Sequence, residues 1–184
     1  MPADVLDLLR KKLGLVDRSN VIYGGRYHNF RDFIGFPEVG SKRLRFEKLP
    51  PQRHPAFADK KSLLKTVMER DVIISYPYQS FNYTLDILRE AAIDSTVSSI
   101  RINIYRVASS SMIMNALINA AKNGIEVFAV IELRARFDEK NNIYWSQKLQ
   151  ENGVKVTFGV TGLKVHSKLI LITKKSGRST TRIA

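Results

Sequence analysis

The sequence predicts an α/β fold, in which a mostly parallel β-sheet is covered by helices and a short partial domain comes first. Three observations support this prediction. After about residue 60, short apolar segments alternate with amphipathic ones, their spacing is that of βαβ units, and the preceding residues lack this pattern. With 44% apolar residues, the 184-residue chain can bury a core of about one domain.

The first part of the chain, residues 1–58, is predicted to be the end of a preceding domain and a linker. An apolar stripe that ends at Gly14 predicts a short helix over 1–15. The residues that follow have little periodicity and scatter basic among aromatic side chains. Strong breakers near 49–58 indicate the linker, and they are Leu49-Pro50-Pro51 and His54-Pro55.

The second part, residues 59–184, is predicted to form the α/β domain, because its apolar residues recur with helical and strand periods in alternation. The predicted order is helix 60–70, buried strand 72–76, helix 81–92, strand 99–105, helix 110–122, strand 126–131, helix 140–151, and shorter strands near 154–159 and 165–172. Right-handed crossovers would bring the carboxyl ends of parallel strands to one edge, where open α/β sheets bind ligands.

Composition narrows the class of protein. There is no cysteine, which excludes disulfides, thiolate metal sites and cysteine nucleophiles. No apolar run approaches the ~20 residues that span a bilayer, and the N-terminus lacks the order of a secretion signal. We therefore expect a soluble, cytoplasmic protein. The net charge of +13 predicts a polyanionic partner, such as nucleic acid, anionic lipid or a phosphate-rich substrate.

The candidate nucleophile is His166, in the segment Lys164-Val165-His166-Ser167-Lys168-Leu169. In an extended strand, His166 and Lys168 would point to the same face, while Val165 and Leu169 would help fill the core. A neutral imidazole nitrogen can attack phosphorus, and a neighbouring ammonium offsets charge on the phosphoryl oxygens. The alternative is a surface histidine beside a solvated lysine.

Two arginines are candidate phosphate ligands, because each follows a predicted parallel strand. Arg106 comes after strand 99–105, and Arg136 comes after strand 126–131. Both should therefore lie near one sheet edge, where two guanidinium groups suit a phosphate chain or the phosphates of a nucleotide. Alternatively, each arginine pairs with a local carboxylate such as Asp138 or Glu139.

Three polar residues alternate with isoleucines along the strand at 99–105, and they are Arg101, Asn103 and Tyr105. A fully buried parallel strand is normally apolar on both faces, so one side of this strand is predicted to face a polar cleft. An edge strand would explain the pattern equally well. The sequence has neither a P-loop nor a Rossmann glycine motif, so any nucleotide is bound in another way.

Several blocks resemble bacterial polyphosphate kinase of the histidine-phosphorylating type. They are Gly24–Phe30, Tyr76–Phe81, Ile102–Ala108, Ala135–Glu139 and Gly162–Leu169, and they occur in the family's order. The resemblance implies that 59–184 is the first of two phospholipase-D-like catalytic half-domains, truncated here, and that 1–58 ends the middle domain. In the phospholipase D pattern an aspartate follows the lysine by five residues, whereas this chain has Thr173 there.

The resemblance also implies a reaction and a set of partners. His166 would carry phosphate from ATP to inorganic polyphosphate, reversibly, with Mg²⁺ accompanying the nucleotide. Arg106 and Arg136 match positions that the family associates with magnesium and phosphate, and a guanidinium cannot ligate a metal, so we interpret both as phosphate contacts. The family's chain is several times longer and has a second essential histidine, so this chain alone is expected to be inactive. The resemblance implies that the intact enzyme is a homo-oligomer. Association with a membrane through the intact enzyme is compatible with this interpretation.

Two other functions are compatible with the residues. A phosphodiesterase or nuclease of the phospholipase D type would need a dimer to supply the second half-site. The other is a basic module that binds polyphosphate, or nucleic acid without sequence specificity. Its binding would weaken steeply as salt rises and would change little when His166 alone is replaced.

Overall fold

The computed structural model describes residues 2–15, 20–21, 23–24, 34–35, 37 and 39–184, which form two compact units, 1–48 and 49–184. Except for Gly24, the block at 24–30 lies outside the described residues. The domain division at 58/59 stays a prediction.

In the first unit, the predicted N-terminal helix is confirmed as α1, Ala3–Leu13. Gly14 ends α1 in the left-handed conformation, and its N–H group donates to the carbonyl of Arg10. A short 3-10 helix, Lys42–Leu44, follows near the end of this unit.

The second unit is a five-stranded sheet with helices, which confirms the predicted α/β class. Its helices are α2 (Leu63–Glu69), α3 (Asn82–Ile93), α4 (Met112–Lys122) and α5 (Glu139–Glu151), with a 3-10 helix at Pro55–Phe57. Its strands are β1 (Val97–Ile104), β2 (Glu126–Ile131), β3 (Lys155–Phe158), β4 (Ile170–Ser176) and β5 (Ser179–Ile183). In the described part of the chain, no helix is long and apolar enough to cross a bilayer.

The sheet is mixed, with the strand order β3-β2-β1-β4-β5. Strands β1, β2 and β3 are parallel, because α4 and α5 carry the chain back between them. No helix lies between β3 and β4, so β4 starts at the edge where β3 ends and runs antiparallel to β1. Gly177, at a φ of 59°, lies in the hairpin that joins β4 to β5.

The core lies between the sheet and α3 and α4. Leu85 and Leu88 of α3 and Leu117 of α4 are fully buried with Ile100 of β1. Burial of a leucine or isoleucine side chain contributes roughly 1.5–3 kcal/mol, so this layer holds β1 in place. The position of β1 matters because the loop after it contributes to the site.

The predicted buried strand at 72–76 is wrong. These residues do not pair with the sheet, and Ile73 is 88% exposed. The backbone finds other partners: the carbonyl of Ile73 contacts His54 Nε2 at 2.9 Å, and the N–H of Ser75 donates to Gln79 Oε1 at 2.8 Å. An apolar run of strand length therefore forms an extended connection instead.

The predicted strand at 165–172 is also wrong in its first half, because β4 begins at Ile170. In much of the preceding segment, hydrogen bonds with side chains replace the pairing of a strand. Glu132 Oε2 accepts from the N–H of Val165 at 3.1 Å, and Asn103 Nδ2 donates to Ser167 Oγ at 2.8 Å. Val165 is buried as expected, whereas Leu169 is 48% exposed and does not fill the core.

Candidate active site

Three loops meet at one edge of the sheet. The loops after β1 and β2 lie at the carboxyl ends of parallel strands, and the segment before β4 starts from the same edge because β4 is antiparallel. The N–H of Asn103 donates to the carbonyl of Leu169 at 2.9 Å, which aligns the end of β1 with the start of β4. This topology brings His166 and Arg106 to one region of the molecule.

Tyr105 lies at the centre of the polar groups at this edge. Its ring makes an edge-to-face contact with the exposed imidazole of His166, with centroids 4.4 Å apart and planes at 76°. Lys168 Nζ, Arg106 Cζ and Lys164 Nζ lie 4.9, 5.4 and 5.6 Å from the centre of the same ring. These distances are within the range of cation–π attraction, so one aromatic ring contacts the imidazole and three cations.

A cavity of about 780 Å³ opens beside these groups. Its polar lining includes Asn103, Tyr105, Arg106, His166 and Lys168, five of the residues predicted from the sequence. The remaining lining is largely apolar and comes from β1, β4 and the helices, for example from Ile102, Ile104, Ile170 and Met114. A few polar groups above an apolar wall are typical of ligand pockets.

Lys168 and Arg106 differ in their local partners. Lys168 Nζ donates to the carbonyl of His166 at 2.6 Å, so the ammonium curls back toward the histidine. Arg106 Nε lies 3.5 Å from Asp138 Oδ2, in a half-exposed ion pair. The alternative of a local carboxylate, which was considered for each arginine, is thus found for Arg106 with Asp138. Exposed pairs of this kind contribute roughly 0–1 kcal/mol, so phosphate can compete for Arg106.

Arg136 is not among the residues that line the cavity. Its guanidinium lies over the ring of Phe137, with Cζ 4.8 Å from the centroid, and the side chain is exposed. Phe137 has a φ of 78°, a conformation that is strained for a bulky residue and is found mainly at functional loops and turns.

Arg101 lies in a separate, smaller pocket of about 300 Å³, away from Asn103 and Tyr105. Lys175, Arg182 and Glu126 also line this pocket. A hydrogen bond from Lys155 lowers the pKa of Glu126 below its usual range, with smaller contributions from the charges of Arg101 and Lys175. The three polar residues of the predicted strand at 99–105 therefore do not share one cleft.

Two buried residues that the sequence did not single out connect the three loops. Asn142 of α5 is fully buried: its Oδ1 accepts from the N–H of Val107, and its Nδ2 donates to the carbonyls of Tyr105 and Glu132. Glu132 is 7% exposed and accepts from the N–H of Val165. A signal was present for Asn142, since it shares the apolar stripe of Trp145 and Leu149.

Fold and site together define an α/β domain whose sheet edge is suited to binding anions. The family model of polyphosphate kinase C-terminal domain 1 matches residues 62–184. The chain belongs to the polyphosphate kinase family.

Relatives of this chain are similar over its whole length. It is 47% identical to a polyphosphate kinase of Salmonella typhimurium and 46% identical to one of Escherichia coli K12, with all of this chain aligned in both cases. It spans 27% of the length of each of those proteins. The crystal structure of polyphosphate kinase from Porphyromonas gingivalis superposes with a TM-score of 0.69 and 33% identity, over 96% of this chain and 26% of that one.

Proposed function

We propose that this chain contributes His166 and its cationic surroundings to a kinase that transfers the terminal phosphate of ATP to inorganic polyphosphate, reversibly. The observation that carries the proposal is the exposed imidazole of His166 beside Lys168, Lys164 and Arg106 around one tyrosine ring. Family membership supports the kinase class, and the relatives' names supply polyphosphate as the substrate.

The proposed chemistry has two half-reactions. A neutral nitrogen of His166 attacks the terminal phosphorus of ATP, the N–P bond forms, and the P–O bond to ADP breaks with its electron pair leaving on ADP. In the second half-reaction, the terminal oxygen of polyphosphate attacks the same phosphorus and the N–P bond breaks. Lys168 and Arg106 offset charge on the phosphoryl oxygens, because phosphoryl transfer depends chiefly on positioning and charge stabilisation.

We propose that magnesium comes with the nucleotide. Among the described residues, no three His, Asp or Glu side chains form a group that could hold a metal ion. Both carboxylate oxygens of Glu132 accept backbone N–H groups, and Asp138 pairs with Arg106. We propose that Mg²⁺ is held by the phosphates of ATP and that Arg106 and Arg136 bind oxygens of the same phosphates.

The remaining parts of the reaction are proposed to lie in the longer chain of the relatives. This chain spans about a quarter of their length, and we infer that a second half-domain and a nucleotide-binding region complete the site. The 184 residues alone should then bind phosphate chains without measurable turnover. We further propose a homo-oligomeric, cytoplasmic intact enzyme.

The experiment uses the full-length chain that contains these residues. After incubation with γ-labelled ATP, acid-labile and base-stable label is expected on the wild-type protein and absent from His166→Ala. Arg178→Ala, in the hairpin at the far end of β4, is the control and should retain the label. Label that persists in His166→Ala would contradict the assignment of the nucleophile.

A further inference from the structure

Glu132 is a buried carboxylate that the proposed chemistry does not use. It follows β2 directly, and its two oxygens accept from different parts of the chain. Oε1 accepts from the N–H of Arg134 at 3.0 Å, within its own loop, and Oε2 accepts from the N–H of Val165 at 3.1 Å. The second bond joins the loop after β2 to Val165, the residue that precedes His166.

The backbone of Glu132 is itself held in place. Asn142 Nδ2 donates to the backbone carbonyl of Glu132 at 2.8 Å and to that of Tyr105 at 2.8 Å. Because Asn142 is fully buried on α5, it ties the loop after β2 to the loop that carries Arg106.

We propose that Glu132 is a positioning residue for His166: its buried carboxylate fixes the backbone of the histidine segment relative to the loop of Arg106. This inference rests on the proposed role of His166 as nucleophile. Glu132 does not line the cavity and touches neither the imidazole nor the cations, so it acts through the chain at Val165.

The position of the histidine needs such a support. His166 lies before β4 begins, where the strand ladder does not yet hold the backbone, and its side chain is exposed. A nucleophile displaced by about 1 Å can lose about 100-fold in rate, even when the change lies away from the reacting atoms. A carboxylate between the two loops limits that displacement without occupying space at the phosphorus.

Two variants of the full-length chain separate the two bonds of Glu132. Glu132→Gln keeps the size of the side chain, but its NH₂ group must face one of the two backbone N–H groups. Glu132→Asp keeps the charge and can reach the local N–H of Arg134, but it is one methylene too short for Val165. Both are expected to lower kcat by about 10- to 100-fold with KM for ATP within twofold.

The control is Thr66→Val, which removes a buried hydroxyl that donates to the carbonyl of Ser62 at 2.9 Å in α2. It should lower thermal stability without changing kcat. Hydrogen exchange in a peptide that covers 163–169 adds a readout independent of activity: it should accelerate in the Glu132 variants and remain unchanged in Thr66→Val.

The outcomes separate this inference from the proposed function. If the wild-type protein forms phosphohistidine at His166 and Glu132→Asp retains full kcat, the positioning role is rejected and the function stands. If His166→Ala still carries the label, the proposed function fails first. If neither Glu132 variant folds, Glu132 serves global stability and the positioning role is likewise rejected.

Discussion

At the scale of single residues, Tyr105 joins the chemistry of the site. Its ring meets the imidazole of His166 edge to face, and it attracts Lys168, Arg106 and Lys164 by cation–π interactions. Each such contact contributes about 0.5–1 kcal/mol when exposed. Like charges would otherwise spread apart, so the ring keeps the cations near the nucleophile before phosphate arrives.

Two variants test whether the aromatic ring or the hydroxyl of Tyr105 matters. Tyr105→Phe keeps the π system and should form phosphohistidine within about threefold of the wild-type rate. Tyr105→Leu removes the edge contact and the three cation–π interactions, which sum to about 2–4.5 kcal/mol if they are additive, and should be at least about tenfold slower. Rapid-quench measurement of label on the full-length chain checks both rates, and equal losses in the two variants would contradict the role of the ring.

The sequence predicted the side chains at the site better than their surroundings. His166 and Lys168 were recognisable from their i, i+2 spacing beside an apolar run, and Arg106 because it follows a predicted strand. Their convergence depended on the direction of β4. Periodicity does not reveal this direction, because the alternation of side chains is the same in a parallel and in an antiparallel strand. Arg101 was grouped with Tyr105 by alternation alone, and it lies in another pocket because the cleft covers only the carboxyl end of β1.

At the scale of secondary-structure elements, amphipathic helices and the strands β1 and β2 were predicted within a few residues. Each has a strong period and a clear end, such as the glycine after α4. The run at 72–76 failed because length and apolar content do not show whether a partner strand exists. The prediction for 165–169 failed because side chains distant in sequence contact this segment: Glu132 accepts from the backbone N–H of Val165, and Asn103 donates to the hydroxyl of Ser167.

Asn142 shows how one helix residue holds two loops, and its replacement should be costly. Asn142→Leu keeps the volume but leaves the N–H of Val107 and the carbonyls of Tyr105 and Glu132 without this partner. At about 1–3 kcal/mol for each unsatisfied buried group, partly relieved by relaxation, we expect a loss of about 3–5 kcal/mol in the free energy of unfolding.

Urea unfolding of the 184-residue chain measures this loss. Asn141→Leu, one position earlier on α5 and only half-buried, is the matched control and should change the free energy of unfolding by less than about 1 kcal/mol. Similar losses in the two variants would show that the bonds of Asn142 to the loops contribute little to stability.

A second link between elements predicts a dependence on pH. Asp94, at the end of α3, lies 2.5 Å from Lys174 Nζ of β4 and also accepts from Thr96. Burial raises the pKa of Asp94, but the hydrogen bonds from Lys174 and Thr96 outweigh it and lower the pKa from 3.8 to about 2. The folded state therefore binds this proton less readily than the unfolded state.

The stabilisation from Asp94 is fully present above about pH 4 and is lost as the pH falls toward 2. At pH 7 the free energy of unfolding of the wild-type chain should exceed that of Asp94→Asn by about 1–2 kcal/mol. This difference should close near pH 2. Urea unfolding between pH 2 and 7 checks this. A difference that stays constant over this pH range would contradict the prediction. The control is Asp86→Asn, in an exposed pair with Arg89, which should lower the free energy of unfolding by less than about 0.5 kcal/mol at pH 7.

At the scale of the whole molecule, the net charge of +13 is spread widely, while the proposed site concentrates a few cations at one sheet edge. Non-specific attraction should therefore account for part of any binding to polyphosphate. The part that belongs to the site can be separated by comparing cations at the edge with cations elsewhere. The hairpin of β4 and β5 supplies the comparison, since it lies at the other end of β4.

The 184-residue chain should bind polyphosphate with an affinity that falls steeply as salt rises, because binding releases counterions. Replacing Arg106 and Lys168 together by alanine removes two cations and should lower the magnitude of the slope of log K against log salt by about 1.4–1.8. Replacing Lys175 and Arg178 together removes the same charge from the hairpin and should lower the slope less. His166→Ala should change the slope little, because it leaves Arg106 and Lys168 in place. Titration at four salt concentrations distinguishes these variants, and equal slopes for the two double variants would mean that binding follows net charge and not the edge. Synthesis of polyphosphate by this chain alone would overturn the proposal that residues beyond it complete the active site.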